Sequence, residues 1–248
     1  MMKKLLCILL TAIIISGALL ATAAAGETEV ISLYEQSFAS PEDAINHFIA
    51  GIAEGDLEKA LAATAIDAYG SSFDFAYQAE RLQVIMPAIN EAPAEYELYG
   101  DLNRLKQAAY LAQQIKLFCY SFFIGDMDFS VPEMLEDQAQ IDEFITAVDP
   151  AKLANLKVVG IDMPTPDVMN SEAALENAEK HGKTIGADTV TERIVLYNLD
   201  GDLFMGGFQL ADFGGVWKIK GLNSIYANQS AYGDVSPVTM DEYFSLTE

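Results

Sequence analysis

The two histidines are the side chains of this 248-residue sequence best suited to acid–base chemistry near neutral pH. His47 shares a predicted helical face with Asp43 and Glu54, so a carboxylate–imidazole pair could act as a general base. We nevertheless expect His47 to point into water, because the opposite face is apolar and consists of Ile45, Phe48, Ile49 and Ile52. His181 precedes Gly182, where a partly cationic ring would cap a helix end. No catalytic residue is therefore predicted.

Cys119 could act as a nucleophile only with a nearby base and an exposed thiolate. It falls on the apolar stripe of a predicted helix, near Ile115 and Phe122, so we expect a small buried core residue. The sequence contains no G-x-S-x-G, H-E-x-x-H or C-x-x-C motif and no phosphate-binding glycine loop. An enzymatic activity is thus uncertain, a non-catalytic role is favoured, and no cofactor is predicted.

Two acidic clusters raise the question of a metal site. Asn198, Asp200 and Asp202 alternate oxygen-bearing side chains, but the later glycine and distant glutamate of a calcium loop do not follow. A tight hairpin turn explains this cluster fully. Asp126 and Asp128 form a similarly weak cluster at a predicted helix end. The sequence therefore predicts no metal site.

The overall composition is that of a globular protein, with 51% hydrophobic and 21% charged residues. The 14 basic and 37 acidic residues give a net charge of −23. A surface this negative repels phosphate backbones and anionic lipid, which argues against nucleic-acid binding and against a polybasic membrane role.

Residues 1–25 have the pattern of a cleavable signal peptide. Lys3 and Lys4 form a positive start, an apolar run follows at residues 5–20, and the small residues 21–25 offer an A-x-A cleavage site. The alternative is an uncleaved anchor, because residues 5–25 could just cross a bilayer. Cleavage would leave a secreted or extracytoplasmic protein with one cysteine, no disulfide and no further membrane segment.

The rest of the chain divides into helical and strand-rich parts. A leader at residues 26–39 precedes a domain at 40–227, whose first two helices are separated by Gly55 and Asp56. Residues 75–150 are predicted to be a large helical insertion. Its long helix ends near Gly125, with inner residues Leu102, Leu105, Ala109, Ala112, Ile115, Cys119 and Phe122. A capping box at 130–133 starts another helix, with Ile141 and Ile145 facing inward.

Beyond residue 155 the hydrophobic period shifts towards two, which predicts strands at 156–163, 190–198, 203–211 and 216–222. A short helix at 171–180, stopped by Gly182, separates the first strand from the others. Turns at 200–201 and 214–215 predict an antiparallel meander. The paired glycines Gly206 and Gly207 predict a bulge or a sharp bend, and residues 228–248 form an acidic tail.

Two segments resemble the nuclear-transport-factor-like (SnoaL-like) α+β cone superfamily, in its exported bacterial type. Residues 40–60, SPEDAINHFIAGIAEGDLEKA, are similar to its opening helix pair, and residues 212–219, DFGGVWKI, to its closing strand. The resemblance covers about 40–65 and 189–223. It implies an α+β fold in which a curved antiparallel sheet packs on an N-terminal helix pair and leaves a pocket, with a helical insertion added.

The resemblance also implies which aromatic side chains could line such a pocket. Phe75, Tyr197, Phe208 and Trp217 fall near the positions where a cone lines its cavity. Core packing is the alternative for each of them, because aromatic side chains dominate interfaces between helices and sheets.

These observations favour an exported, non-catalytic binding module. It would bind either a small apolar or amphipathic molecule or a protein of the envelope or extracellular space. One alternative is a lyase or isomerase that works in the cone pocket, with His47 or an acid as its base. A second alternative is a structural or interaction protein that docks through the helical insertion.

Overall fold

The computed structural model describes residues 36–85, 89–124, 134, 137–224 and 232–247. The predicted signal peptide, most of the leader, the helix end near Gly125 and the capping box lie outside the described residues. The same holds for the acidic cluster of Asp126 and Asp128. These predictions remain predictions.

The chain opens with the predicted pair of helices. Helix α1, Pro41–Glu54, begins where the Ser40 hydroxyl accepts a hydrogen bond from the Asp43 N–H over 3.1 Å. Helix α2, Leu57–Ala62, is capped by Asp56, whose carboxylate accepts from the Lys59 N–H over 2.9 Å. The predicted break at Gly55 and Asp56 is confirmed.

Helices also dominate the middle of the chain, as predicted. They are α3 (Ile66–Ser72), α4 (Phe75–Leu82), α5 (Glu97–Ser121) and α6 (Gln138–Ala147), followed by a 3-10 helix (Pro150–Asn155). A short helix α7 (Pro166–Met169) and a longer α8 (Glu172–Ile185) lie between the first two strands. No helix in the described ranges is both long enough and apolar enough to span a membrane.

The strands form one curved antiparallel sheet, so the α+β prediction is confirmed. The strands are β1 (Lys157–Asp162), β2 (Thr189–Leu199), β3 (Asp202–Asp212), β4 (Trp217–Gly221) and β5 (Ser236–Pro237). They follow the order β1-β2-β3-β4, and the short β5 pairs with β3. The predicted meander is therefore present.

A tight turn sets the register of β2 and β3. Asp200 and Gly201 both have positive φ, 54° and 108°, as a two-residue hairpin turn requires. Asn198 Oδ1 accepts a hydrogen bond from the Gly201 N–H over 3.3 Å. The oxygen-rich cluster thus stabilises a turn, in agreement with the sequence interpretation.

The two faces of the sheet have different coverings. On the inner face, Val195, Tyr197, Phe208 and Leu210 join the main core with α1 and α5. The outer face carries Ile194, Leu196 and Met205 under a C-terminal helix, and Ala211 beside the end of α8. This division follows from the alternation of side chains along each strand.

The C-terminal residues 232–247, part of the predicted tail, contribute to this outer face. They form β5 and helix α9, Met240–Thr247. Tyr243 of α9 is 2% exposed, and its hydroxyl donates to Asp162 Oδ2 over 2.6 Å. Val238 and Leu246 pack on the same cluster as Tyr243, so several apolar side chains hold this acidic segment on the sheet.

The predicted inner face of α5 is wrong in its first half. Leu102 and Leu105 are 50% and 69% exposed, and Ala109 and Ala112 are exposed too, whereas the buried side chains are Asn103 and Gln107. The reason is hydrogen bonding. Asn103 binds backbone groups of Ala92, and Gln107 Nε2 donates to Lys220 O over 2.7 Å. In the second half, Ile115 and Phe122 are buried as predicted. Ile141 and Ile145 of α6 are also exposed, contrary to expectation.

The glycine pair in β3 does not form a bulge. Gly206 and Gly207 pair in continuous register with Val195 and Ile194 of β2. The absence of a side chain serves a close approach instead, because a Cβ on Gly207 would lie 2.5 Å from Ser224 Cβ. The segment after β4 thus lies directly against the outer face of β3.

The end of α2 contacts β4, although most of the chain separates the two in sequence. Thr64 forms a parallel bridge with Ile219, where the Ala65 N–H donates to Ile219 O over 2.8 Å. Lys218, which is 6% exposed, donates to Ala62 O over 2.7 Å. These hydrogen bonds fix the opening helices against β4.

Candidate functional site

A cleft of about 240 Å³ lies between α8 and the outer face of β2, β3 and β4. One part of its lining is apolar and comes from Met169, Ala174, Ala178 and Val190. The other part is polar or charged and comes from Asn177, His181, Thr191, Glu192, Gln209 and Lys220. Such a mixture of apolar wall and few convergent polar groups is typical of small-molecule sites.

Three polar side chains form a row across neighbouring strands at the floor of the cleft. Glu192 of β2 is paired directly with Gln209 of β3. Gln209 in turn pairs with Gly221 of β4, whereas Leu210 pairs with Ile219, so Lys220 occupies a bulge between the two pairs. The Lys220 ammonium donates to Gln209 Oε1 over 3.1 Å. The bulge therefore aims this lysine at the outer face.

Neighbouring elements hold both charged residues in place. Gln107 Nε2 of α5 binds the backbone carbonyl of Lys220, and the Ser224 hydroxyl donates to Glu192 Oε2. Ser224 reaches Glu192 only because Gly207 leaves room for it against β3. The floor of the cleft is thus supported from two sides.

The two basic side chains of the cleft, Lys220 and His181, both have lowered pKa values. Burial lowers the pKa of the Lys220 ammonium, and the carboxylates of Glu192 and Glu91 oppose that shift. Burial also lowers the pKa of His181 to about 4, and the positive charges of Lys220 and Arg81 add to the effect. The His181 imidazole is therefore neutral near pH 7.

The sequence interpretation of His181 as a cationic helix cap is wrong. Helix α8 continues past Gly182 to Ile185, and Gly186 is its C-cap. Gly182 instead allows a close contact, since a Cβ there would lie 2.8 Å from Ala187 O. His181 consequently lies inside the helix, where it lines the cleft.

The four aromatic residues predicted to line a pocket do not lie in this cleft. Tyr197 and Phe208 are buried in the inner-face core, each with a ring centroid 5.7 Å from an aromatic neighbour, Phe118 and Phe48 respectively. Trp217 is half-buried beside the same core, and Phe75 is half-buried at the start of α4. Their proposed contact with a ligand stays a prediction.

His47 is less exposed than the sequence predicts. Its ring lies 5.0 Å from the Phe38 ring, and Nδ1 is 3.5 Å from Gln36 Nε2. Nε2 is buried without a hydrogen-bond partner in the described part of the chain, where no hydrogen bond joins His47 to Asp43. Burial, followed by the charge of Lys59, lowers the pKa of the ring.

Cys119 packs against the main core and is half-buried. Burial raises the pKa of its thiol to about 11, so the thiolate is scarce near neutral pH. The interpretation of Cys119 as a packing residue is thus supported. In the described ranges, no group of three or more His, Cys, Asp or Glu side chains is arranged to hold a metal ion.

Together, the fold and the cleft define an α+β protein whose curved antiparallel sheet packs on its first helix and carries a small polar cleft on the opposite face. No protein-family model matches the sequence, and no curated protein does. A solved structure, that of a cystatin-like protein from Ruminococcus gnavus ATCC 29149, matches with a TM-score of 0.50 and 18% identity. The match covers 85% of this chain and 43% of that one, so this chain spans less than half the neighbour's length. The likeness shows a shared fold.

Proposed function

We propose that this protein is a non-catalytic binding module that holds a small amphipathic ligand in the cleft between α8 and the sheet. The observation that carries the proposal is the composition of the cleft, in which an apolar wall faces a polar floor within about 240 Å³. A cavity of this size suits a molecule of few heavy atoms.

Two further proposals concern the setting of this module. The signal-peptide pattern of residues 1–25 supports export to the cell envelope or beyond. The packing of a curved antiparallel sheet on α1 supports a relationship to the nuclear-transport-factor-like cones. The mass of the denatured, processed protein tests the first of these proposals directly.

The binding function is tested by filling the cleft. Ala178 lines the cleft, whereas Ala173 lies on the exposed side of the same helix. Ala178→Leu should therefore remove bound ligand, and Ala173→Leu should not. The measurement compares native and denatured masses of protein purified from an exporting host.

We expect the native mass of the wild type and of Ala173→Leu to exceed the denatured mass by one small discrete amount. Ala178→Leu should lack that excess. A wild-type protein without excess mass, or an excess that persists in Ala178→Leu, would contradict binding in this cleft.

A second candidate function is docking through the helical insertion, with a second copy of the chain as the partner. The observation that favours it is a stripe on α5, where Leu98, Leu102 and Leu105 are 68%, 50% and 69% exposed. Their spacing of four and three residues places them on one helical face. Sedimentation equilibrium should show self-association that Leu102→Gln/Leu105→Gln abolishes and that Leu57→Gln, at another exposed leucine, preserves.

A further inference from the structure

Hydrogen-bonding capacity remains unused along the lining of the cleft in the described part of the chain. The Lys220 ammonium has three N–H donors and directs one of them to Gln209 Oε1 over 3.1 Å. Neither Gln209 Nε2 nor the imidazole of His181 has a hydrogen-bond partner among the described residues. The neutral ring of His181 supplies one donor and one acceptor. The cleft thus offers several donors together with one acceptor.

The carboxylate of Glu192, in contrast, is already engaged. Its Oε2 accepts a hydrogen bond from the Ser224 hydroxyl, and the residue takes part in a further interaction. Within the described ranges it forms no ion pair with Lys220, whose ammonium lies over Gln209. Glu192 is therefore not an open acceptor for a ligand, although its charge still acts on the cleft.

The positive charge of Lys220 is compensated by neighbouring carboxylates. Burial lowers the pKa of its ammonium, and the negative charges of Glu192 and Glu91 counteract that shift, so both carboxylates act on this one ammonium. Glu91 is itself held in place, because it accepts hydrogen bonds from the Tyr69 hydroxyl and the Lys106 ammonium. The charge of Lys220 is thus balanced before any ligand enters.

This balance disfavours a charged ligand of either sign. An anion beside Lys220 would be repelled by the two carboxylates and would lose its hydration on entry. A cation would be repelled by Lys220, and Glu192, the one carboxylate among the described lining residues, is already engaged. A neutral molecule avoids these costs and can still accept a charge-assisted hydrogen bond from Lys220.

A carboxamide matches the unused groups of the cleft. Its carbonyl oxygen can accept from the Lys220 ammonium and from Gln209 Nε2, and its N–H can donate to the unprotonated nitrogen of His181. A ketone lacks that donor. A hydroxyl group carries donor and acceptor on one atom, whereas Lys220 lies on the sheet and His181 on α8, on opposite sides of the cleft.

The apolar part of the lining defines what the carboxamide is attached to. Met169, Ala174, Ala178 and Val190 form an apolar wall. The volume of about 240 Å³ excludes a large aromatic substituent. A short aliphatic group is the one that this wall accommodates.

We propose that the cleft binds a small aliphatic carboxamide without net charge, with its carbonyl oxygen bound to Lys220 and Gln209 and its N–H bound to His181. This inference rests on the proposed binding function of the same cleft. It adds the chemical class of the ligand, and it gives Glu192 the role of compensating the charge of Lys220.

The first test compares three probes of matched shape by protein-observed NMR titration. At neutral pH isobutyramide is uncharged, isobutyrate is an anion and isobutylamine is a cation. We expect isobutyramide to bind at least about tenfold more tightly than either ion, because an ion would lose its hydration without finding an uncompensated opposite charge.

The second test changes the charges of the floor one at a time. Lys220→Met removes the donor to the carbonyl oxygen and should weaken isobutyramide binding about tenfold. Glu192→Gln keeps an acceptor for the Ser224 hydroxyl but removes the charge, so the preference for isobutyramide over isobutyrate should fall at least about fivefold. Lys180→Met and Glu176→Gln are matched controls from an ion pair on the exposed side of α8, and they should change neither value.

The outcomes separate this inference from the proposed function. Absence of isobutyramide binding, equal affinity for all three probes, or a preference that Glu192→Gln leaves unchanged overturns the carboxamide proposal. These results do not depend on whether Lys220→Met folds. If the retained mass is nevertheless lost in Ala178→Leu, the cleft binds a ligand of other chemistry and the binding function stands. Failure of both experiments removes the binding function as well.

Discussion

The carboxamide of Asn103 binds the backbone of Ala92 through both of its ends. The Ala92 N–H donates to Asn103 Oδ1 over 2.9 Å, and Asn103 Nδ2 donates to Ala92 O over 2.9 Å. Asn103 is 2% exposed. The segment that precedes α5 is thus attached to the helix by a buried carboxamide that binds both the N–H and the C=O of one residue.

Replacement of Asn103 by leucine should destabilise the protein, although it adds an apolar residue to the buried face. The variant leaves both polar groups of Ala92 without their partner, and we expect a loss of about 2 kcal/mol in the free energy of unfolding. Gln113→Leu, at an exposed position of the same helix, should change it by less than about 0.5 kcal/mol. Urea denaturation measures both, and equal effects would refute the assigned orientation of α5.

Tyr197→Phe should maintain or increase stability. The Tyr197 side chain is fully buried, and its hydroxyl has no hydrogen-bond partner within the described residues. Removing an unsatisfied buried hydroxyl should raise the free energy of unfolding by up to about 1 kcal/mol. Tyr243→Phe is the control, because that hydroxyl donates to Asp162 and its removal should cost about 1 kcal/mol. Thermal unfolding distinguishes the two variants. A clear loss of stability in Tyr197→Phe would show that the Tyr197 hydroxyl has a hydrogen-bond partner.

His181 should make stability depend on pH below neutrality. Its pKa is about 4 in the folded protein, against an ordinary value of 6.5. The unfolded chain therefore binds a proton that the folded protein does not, and stability should fall as the pH drops from 6.5 towards 4. Above pH 6.5, His181 should not contribute to the pH dependence of the free energy of unfolding.

The variant His181→Gln isolates this contribution from that of the carboxylates. The free energies of unfolding of wild type and variant, measured by denaturant titration at several pH values, should differ by a constant above neutrality. Below it, the wild type should lose stability faster than the variant. Parallel curves across the whole acid range would mean that His181 is not buried as described.

Gly207→Ala should disturb the contact that supports the cleft floor. The added Cβ would lie 2.5 Å from Ser224 Cβ and 2.6 Å from its backbone nitrogen, so the chain must move. We expect a loss of about 1–3 kcal/mol, as for other overpacked sites. Gly100→Ala in α5, with its nearest neighbour at 3.6 Å, should instead be neutral or stabilising by up to about 1 kcal/mol. Calorimetry of the two variants tests the contrast.

The two charges of the candidate site differ in how far local sequence signals predict them. The turn at Asp200 and Gly201 determines the register of β2 and β3, and that register places Glu192 opposite Gln209. This pair could therefore be found by counting outward from the turn. Lys220 could not, because its orientation depends on a bulge that no local residue pattern marks.

Local sequence signals also predict only part of the fold. Strands and turns were predictable because alternation and turn residues are local signals. The inner face of α5 was not, because the partner of Gln107 is a backbone carbonyl distant in sequence, at Lys220. Helix α8 passes Gly182 because the helix ends one turn later, where Gly186 has a positive φ and the Ala187 N–H donates to Gly182 O over 2.9 Å.

The bridge between Thr64 and Ile219 has a consequence for the order of folding. It joins segments with most of the protein between them, so its formation demands closure of a long loop, whose entropic cost grows with loop length. The hairpin of β2 and β3 closes through two residues. We expect the hairpin to form early and the bridge to form last and limit the folding rate. Because the entropic cost of closing a long loop grows only slowly with its length, insertions into surface loops between Thr64 and Ile219 should cost little as long as the bridge still forms.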